Sequence, residues 1–532
     1  MTIELDALVI GAGFAGMYQL HSLRDKLKLN VKVLEAGAGV GGTWYWNRYP
    51  GARCDSESHV YWYTFSEELM KEWEWTERYP GQAEIMRYMN FAADKLDLKK
   101  DISFNTRVTS ARYDATANRW RVGTENGESY VAKFLVTAVG CLSTANVPKF
   151  PGLETFAGKW YHSGEWPHEG VDFTGKRVGM IGTGSTGIQA APVIAAQAKH
   201  LTVFQRTANY SVPARNAPLA PEFKQYVKQN AKGIRAATRE TMNGMAFKID
   251  DRKAVETPAD EREKIYEAAW ERGGLQFRAA FQDMMVSQEA NDTAADFVKR
   301  KIRSIVKDPR TATLLSDIDH PYAAKRPPID TDYFETYNRD NVTLVDVKSY
   351  PIVAIDEDGI VTAEGKFPVD IIVFATGFDA MTGPLQRLNI VGRDGATLKD
   401  VWEAGPRNYL GLGIVGFPNL FTITGPGSPS VLCNMPVAIE QHVDWISQCI
   451  DNMRAKGLET IEAKPEAVEK WVAEVNELAN QTLLTMAKHS WYHGANIPGK
   501  PQVFMPYAGG MVRYRETCDD VAANGYEGFV LA

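Results

Sequence analysis

Two short runs of glycine constrain this chain more than any other feature. Residues 5–16 read LDALVIGAGFAG, and residues 176–187 read KRVGMIGTGSTG. Each is an apolar run entering a GxGxxG turn, with Gly11, Gly13 and Gly16 in the first and Gly182, Gly184 and Gly187 in the second. The three positions do separate work. The first glycine permits a tight strand-to-helix turn, the second lets a pyrophosphate approach the backbone, and the third lets helix and strand pack closely. The helix after the turn offers free N–H groups and the positive end of its dipole to the anion. Both runs predict the strand–turn–helix unit of a dinucleotide-binding α/β fold.

The segment beyond each turn distinguishes the two units. VKVLE (31–35) predicts a second strand, and its last residue, Glu35, stands 19 residues beyond Gly16. That is the offset of an acid that binds ribose hydroxyls. HLTVFQRT (200–207) occupies the same place after the second turn, but the residue 19 beyond Gly187 is Arg206. An acid there would repel a 2′-phosphate, whereas an arginine clamps it with paired, charge-assisted bonds. The first unit suits FAD and the second suits NADPH. Two such units in one chain predict hydride transfer from nicotinamide to flavin.

The remaining segments have to close one site around both nucleotides. LVTAVGCLS (135–143) and DIIVFATGFD (370–379) read as strands that exit through glycine, the second resembling a flavoprotein signature. Residues 418–442 read as a strand, a Gly/Pro loop and a helix starting near Asn434, whose positive dipole end would stabilise an anionic flavin. The fold class expected is α/β, two interleaved Rossmann-like domains with a mainly helical insertion. The FAD domain takes residues 1–145 and 388–532, and the NADP domain takes 150–215 and 335–385. The insertion, 216–334, has helices expected at about 258–272 and 291–307.

Size and composition set the outer limits. At 532 residues the chain is long enough for three to four domains of about 150 residues. Its net charge of −7 leaves no basic excess for a nucleic-acid partner. The five cysteines are scattered and odd in number, and no CxxC pair occurs. Neither a disulfide framework nor a zinc site is expected. His489 and His493 are four apart but lack the glutamate of an HExxH site, so no metal is expected. The N-terminus enters a strand at once and no apolar run reaches membrane-spanning length, so a cytoplasmic protein is expected. No protein partner is implied.

Between the two glycine units lies FAGKWYHSGEWPHEG (156–170), a connector with four aromatic residues around one histidine. Phe156, Gly158, His162, Trp166 and Pro167 match FxGxxxHxxxWP, the fingerprint of the type I Baeyer–Villiger monooxygenases. GGTWYWNRYPGARCD (41–55) resembles a second family signature, ending in Asp55. The resemblance covers nearly the whole chain and points to the cyclohexanone monooxygenase branch. It implies FAD- and NADPH-dependent insertion of one oxygen atom from O2 beside a ketone carbonyl. The product is an ester or lactone, formed through a C4a-peroxyflavin.

The resemblance also implies roles for residues. Arg326 in AAKRPPID would hold the peroxide and then the tetrahedral oxyanion, and Asp55 would orient it. Arginine suits the task because burial does not readily deprotonate it. Lys325 would join Arg206 and Thr207 at the 2′-phosphate, and Trp491 would contact the nicotinamide nucleotide. The remaining cofactor-binding candidates lie beside the motifs: Phe14, Thr43, Trp44, Trp46, Tyr61, Val108 and Met435, with Thr183, Ser185, Thr186 and Gln189. Positions near Leu142, Ser143, Leu432 and Cys433 are expected to line the ketone pocket. The alternatives are an N- or S-oxygenating flavin monooxygenase, an uncoupled NADPH oxidase and a non-catalytic nucleotide sensor.

Overall fold

The structure, a computed structural model, describes residues 2–532. Its first sheet is built on β1 (Thr2–Ile10), whose second half is buried because strands flank it on both sides. These are β2 (Val31–Leu34) and, on the other side, the long strand β6 (Ser129–Thr137), both parallel to β1. Strand β3 (Ile102–Ser103) extends the sheet beyond β2, while β4 (Val108–Asp114) and β5 (Arg119–Thr124) form an antiparallel meander with the first half of β6. Helix α1 (Phe14–His21) comes directly after the first glycine turn.

The second sheet repeats this plan. It contains β7 (Lys159–His162), β8 (Arg177–Ile181), β9 (His200–Gln205), β10 (Val342–Asp346) and β11 (Ile371–Phe374), in the order β10-β9-β8-β11-β7. Every pairing is parallel. Strand β11 is buried at all four residues, as a strand covered on both faces must be. An antiparallel meander of three strands, 352–368, separates β10 from β11. Helix α2 (Ser185–Gln197) comes directly after the second glycine turn. The chain then returns to the first sheet, adding β12 (Ile390–Val391) beside β4 and β13 (Leu420–Thr422) beside β6. Strand β6 changes neighbour along its length: Ala132 pairs with Trp120 of β5, and Leu135 pairs with Leu420 of β13.

The insertion leaves and re-enters the second domain through a two-residue parallel ladder, Val212–Pro213 against Ile329–Asp330. It carries α3 (Pro221–Arg239), α4 (Ala259–Arg272) and α5 (Gln288–Ile305). Helix α5 starts three residues before the expected 291, because the Ser287 side chain caps it by accepting from the Ala290 N–H. It ends before the expected 307, just ahead of Asp308-Pro309, which starts another helix.

The C-terminal part packs back on the first domain. Helix α6 (Met435–Ala455) runs along α1, with Gln19 Nε2 donating to Ser447 Oγ at 3.2 Å. Helix α7 (Met511–Ala523) covers α6, and Trp445 Nε1 donates to the Cys518 carbonyl at 2.9 Å. One core therefore joins Val9 and Met17 with Trp445, Ile450 and Tyr514. The aromatic stretch expected as a connector is more than that. Residues 159–162 are β7, the edge strand of the second sheet, paired with β11 in register Tyr161↔Val373. No helix among the described residues is long and apolar enough to cross a membrane.

Candidate active site

One cavity of about 2190 Å³ opens between the C-terminal edges of the two sheets. Its walls include Ile10, Leu34 and Ala138 from the first sheet and Ile181, Phe204 and Ala375 from the second. Ligands of doubly wound folds bind at such strand ends. The glycine turns explain why the backbone is bare there. Gly11 has φ +102°, and an added Cβ would lie 2.5 Å from the Ala138 carbonyl oxygen. Gly182 repeats this with φ +115° and 2.3 Å to the Ala375 oxygen. The exits of β6 and β11 thus press on the two turns in the same way. Gly16 and Gly187 sit behind the turns, where a Cβ would meet the oxygens of Gly11 and Gly182 at 1.7 and 2.3 Å. Gly184 faces open space, with nothing within 4 Å of a Cβ. The two cradles fit a pyrophosphate each.

All the other cofactor-binding candidates open on this cavity. Glu35 is buried. Its Oε2 accepts from Ala12 N and its Oε1 from Gly37 N, both at 2.7 Å. Burial raises its pKa, against the pull of those N–H groups. A carboxylate has about four acceptor sites, so lone pairs are left for ribose hydroxyls. Trp44, Trp46 and Tyr61 form an aromatic wall with Tyr49, and Trp44 Nε1 donates to Tyr61 Oη at 3.0 Å. Trp62 and Tyr63, which follow Tyr61 directly, are core residues. At the second cradle, Arg206 and Lys325 both line the cavity, and Thr183 Oγ1 donates to the Thr207 carbonyl at 2.9 Å. The Lys325 pKa is lowered, first by burial and further by the charge of Arg206, while Asp319 opposes both. An anion between the two cations relieves them, so the donor set fits a 2′-phosphate.

Gln189 does more than line the cavity. Its Oε1 accepts from Tyr49 Oη at 2.9 Å and its Nε2 donates to the Arg53 carbonyl at 3.0 Å. Helix α2 of the second domain thereby grips the loop that leads to Asp55. Nothing in the local sequence of Gln189 signals this bond, since its partners lie about 140 residues away.

Arg326 and Asp55 meet at the cavity wall. Arg326 Nε donates to Asp55 Oδ2 at 2.8 Å and Nη2 to Oδ1 at 2.7 Å, a forked pair. Nη1 donates to the Val431 carbonyl at 2.7 Å. The guanidinium lies deep, yet 26 % of the side chain is exposed toward the cavity. Burial alone would lower its pKa, but the charge and hydrogen bonds of Asp55 outweigh it and hold the pKa above its ordinary value. The Val431 contact has no sequence signal, because any residue supplies a carbonyl. Leu142, Ser143 and Cys433 line the same cavity, whereas Leu432 does not and packs instead in a cluster with Trp491.

The FxGxxxHxxxWP residues are arranged around β11. A Cβ on Gly158 would lie 2.3 Å from the Asp370 oxygen, and one on Gly164 would lie 2.4 Å from the Phe378 ring. His162 Nε2 donates to the Gly377 carbonyl at 3.1 Å, while its Nδ1 accepts from Gly164 N at 3.0 Å. That pattern is the neutral imidazole, in keeping with a pKa lowered by burial. Phe156 packs in a cluster with Phe374, and only Trp166 and Pro167 of the five reach the cavity.

Comparison with known proteins shows what the geometry belongs to. The family described as flavin-binding monooxygenase-like matches residues 6–216. A Baeyer–Villiger monooxygenase of Pseudooceanicola batsensis is 45 % identical over 99 % of this chain and 96 % of its own length. The chain belongs to the Baeyer–Villiger monooxygenases. Two solved structures agree at the level of the backbone. A closed structure of cyclohexanone monooxygenase superimposes with a TM-score of 0.98 at 42 % identity, covering 100 % of both chains. An oxidised steroid monooxygenase bound to NADP is 52 % identical, with a TM-score of 0.95 over 99 % of both chains. Within this monooxygenase family framework, the β7 fingerprint is a sheet edge whose histidine clamps residue 377. His162→Ala is expected to leave the protein yellow and folded. It should lower the ester formed per NADPH consumed several-fold, since about 1 kcal/mol of hydrogen bonding is lost at the joint. An unchanged ratio in a variant with normal melting temperature would make His162 a packing residue only.

Proposed function

We propose that this chain is an FAD- and NADPH-dependent Baeyer–Villiger monooxygenase that converts a ketone and O2 to an ester or lactone. The observation that carries the proposal is the forked Arg326–Asp55 pair opening on a cavity shared by two glycine cradles. When bound, FAD and NADPH supply hydride transfer and the activation of O2. The chain's own contribution is binding, orientation and charge. The turn at Gly11–Gly13 and the N-terminus of α1 hold one pyrophosphate, and the turn at Gly182–Gly184 with α2 holds the other. Arg206 and Lys325 select the 2′-phosphate. Arg326 presents permanent positive charge where a carbonyl oxygen becomes an oxyanion, from a largely buried side chain whose charge is worth more than one in open water. Asp55 fixes the orientation of the guanidinium.

The test is a ketone panel with mass detection of products, run beside an amine and a sulfide, with hydrogen peroxide measured in parallel. Ester or lactone from a ketone, one per NADPH, is expected. Exclusive N-oxide or sulfoxide formation, or peroxide alone, would overturn the proposal.

Coenzyme choice gives a second expected result. Arg206→Ala should lower kcat/KM for NADPH by roughly ten- to a hundredfold, the value of about 1.5–3 kcal/mol for a charged hydrogen bond. Use of NADH should hardly change, because NADH carries no 2′-phosphate. Equal losses with both coenzymes would remove Arg206 from the phosphate site.

A further inference from the structure

The ladder through which the insertion leaves and re-enters the second domain holds a carboxyl that the mechanism above does not use. Asp330 is 6 % exposed, and Ser211 beside it is fully buried. Backbone bonds tie the two sides of the ladder: Val212 N donates to the Pro328 carbonyl at 3.2 Å and Ala214 N to the Asp330 carbonyl at 2.7 Å. Both sides lead straight to the site, since residues 206–209 and 325–326 line the cavity. The ladder therefore pins, a few residues on, the segment that bears Arg206 and Thr207 and the segment that bears Lys325 and Arg326.

The side chains at the ladder have one proton too few for a carboxylate. Ser211 Oγ lies 2.7 Å from Asp330 Oδ2 and 3.2 Å from the Pro328 carbonyl oxygen. A serine hydroxyl has a single proton to give. Facing two acceptors, it bonds both only if one of them brings a proton, and only the carboxyl can. Asp330 Oδ2–H then donates to Ser211 Oγ, whose own O–H donates to Pro328. Asp330 Oδ1 accepts from Tyr333 N at 3.3 Å. A carboxylate would instead take the serine proton and sit buried on one hydroxyl and one long N–H bond.

Nothing around Asp330 compensates such a charge. The charges that act on it, Glu335 and Asp332, are both acidic. Tyr333 shares its hydroxyl with Tyr337. Helix α2 packs on the ladder and carries no ionisable side chain. Against Val212–Pro213 pack the turn Gly274–Ala279, which carries Arg278, and α4, which carries Tyr266 and ends in Glu271-Arg272. Tyr266 bonds Thr293, and Glu271 pairs with Arg215. Among the described residues none of these forms a bond or an ion pair with Asp330. Burial pushes its pKa up to about 7, against the pull of Ser211 and Tyr333 N.

We propose that Asp330 is a positioning residue that works as a neutral carboxylic acid, its proton completing the chain from Asp330 through Ser211 to Pro328 that sets where Lys325 and Arg326 stand. Asp330 touches neither coenzyme nor ketone. The role of Arg326 in this device rests on the monooxygenase reading above, whereas the state of Asp330 is measured without substrate.

Two measurements on the FAD-loaded full chain test it. Asparagine mimics the neutral acid, since its Nδ2–H can donate to Ser211 and its Oδ1 can accept from Tyr333 N. A carboxyl whose pKa is raised on folding binds more proton in the folded state. Stability therefore falls as pH rises from its ordinary value of 3.8 to about 7, and levels off above. Asp330→Asn has no such proton. The melting temperature of the parent should fall relative to that of Asp330→Asn by about 2 °C between about pH 5 and about pH 7. A gap that stays constant over that range would overturn the neutral acid. Ser211→Ala removes the middle of the chain. It should keep its flavin, but the NADPH concentration that half-saturates anaerobic flavin reduction should rise about fivefold, and ester formation at saturating NADPH should fall by about the same factor. Asp330→Asn should stay close to the parent in both. Parent values in Ser211→Ala, or equal losses in Asp330→Asn, would overturn the positioning role. Should Ser211→Ala fail to fold, Asp330→Leu, which removes both side-chain bonds, takes its place with the same expected losses and the same overturning result. If the parent makes no ester, the functional reading fails, and the melting comparison with the NADPH half-saturation still decides the role of Asp330.

Discussion

Arg326→Ala is expected to cut ester formation by at least 10²–10³-fold, the range for deleting one oxyanion donor, while FAD stays bound and reducible by NADPH. Binding is spared because the two pyrophosphate cradles are built from backbone at Gly11–Gly13 and Gly182–Gly184, elements Arg326 does not touch. The loss falls on the step in which negative charge develops on the substrate oxygen. Alanine also leaves Asp55 without its forked partner. An uncompensated carboxylate beside that oxygen is repulsive, so the variant should do worse than a simple missing donor. The stability cost is smaller than for a sealed pair, because both side chains are about a quarter exposed to the cavity and solvent screens them. Arg326→Lys should recover little, since an ammonium is a point charge that cannot fork to Asp55 and also donate to Val431. Ester yield per NADPH and anaerobic flavin reduction are the two measurements. A normal yield from Arg326→Ala would show that another group holds the oxyanion.

The second large effect sets the third glycine of one turn, Gly16, against the second glycine of the other, Gly184. Gly16→Ala should give a protein with little or no bound flavin and a melting temperature lowered by several degrees. Its Cβ would stand 1.7 Å from the Gly11 carbonyl oxygen, and no side chain can move to make room. Helix α1 would have to shift away from β1, at a cost of roughly 3 kcal/mol or more for backbone overpacking. Gly184→Ala, in the other turn, should behave differently. Its Cβ meets nothing within 4 Å and its backbone is extended, with φ −82° and ψ −169°. Stability should be unchanged, while the NADPH KM should rise by at least about tenfold because the methyl occupies the approach of the pyrophosphate. Thermal melting and bound-flavin absorbance check the first, and KM for NADPH checks the second. A stable, fully yellow Gly16→Ala, or an unstable Gly184→Ala with normal KM, would contradict the geometry.

What the sequence determined by itself is local. The two glycine turns, the strand before each and the helix after each are contiguous, so residue order carries their geometry. The offset of 19 residues to Glu35 and Arg206 is legible for the same reason, since one βαβ unit has a nearly set length. Even here local chemistry shifts a boundary: Ser287 moves the start of α5 by three residues through its cap. The rest was decided by the tertiary structure. Arg326 meets Asp55 across 271 residues, His162 meets Gly377 across 215, and Lys500 meets Asp379 across 121. A lysine–arginine pair before two prolines and an aspartate in a turn read as ordinary surface residues without a family resemblance. Their pairing depends on which strands lie side by side. The stretch 156–167 shows this most directly. Its place between the two glycine units reads as a connector despite its aromatic composition, but the backbone of residues 159–162 finds partners on β11, and that ladder makes it a sheet edge. Long-range hydrogen bonds and the burial that strengthens them exist only after the sheets assemble, so no window along the chain contains them.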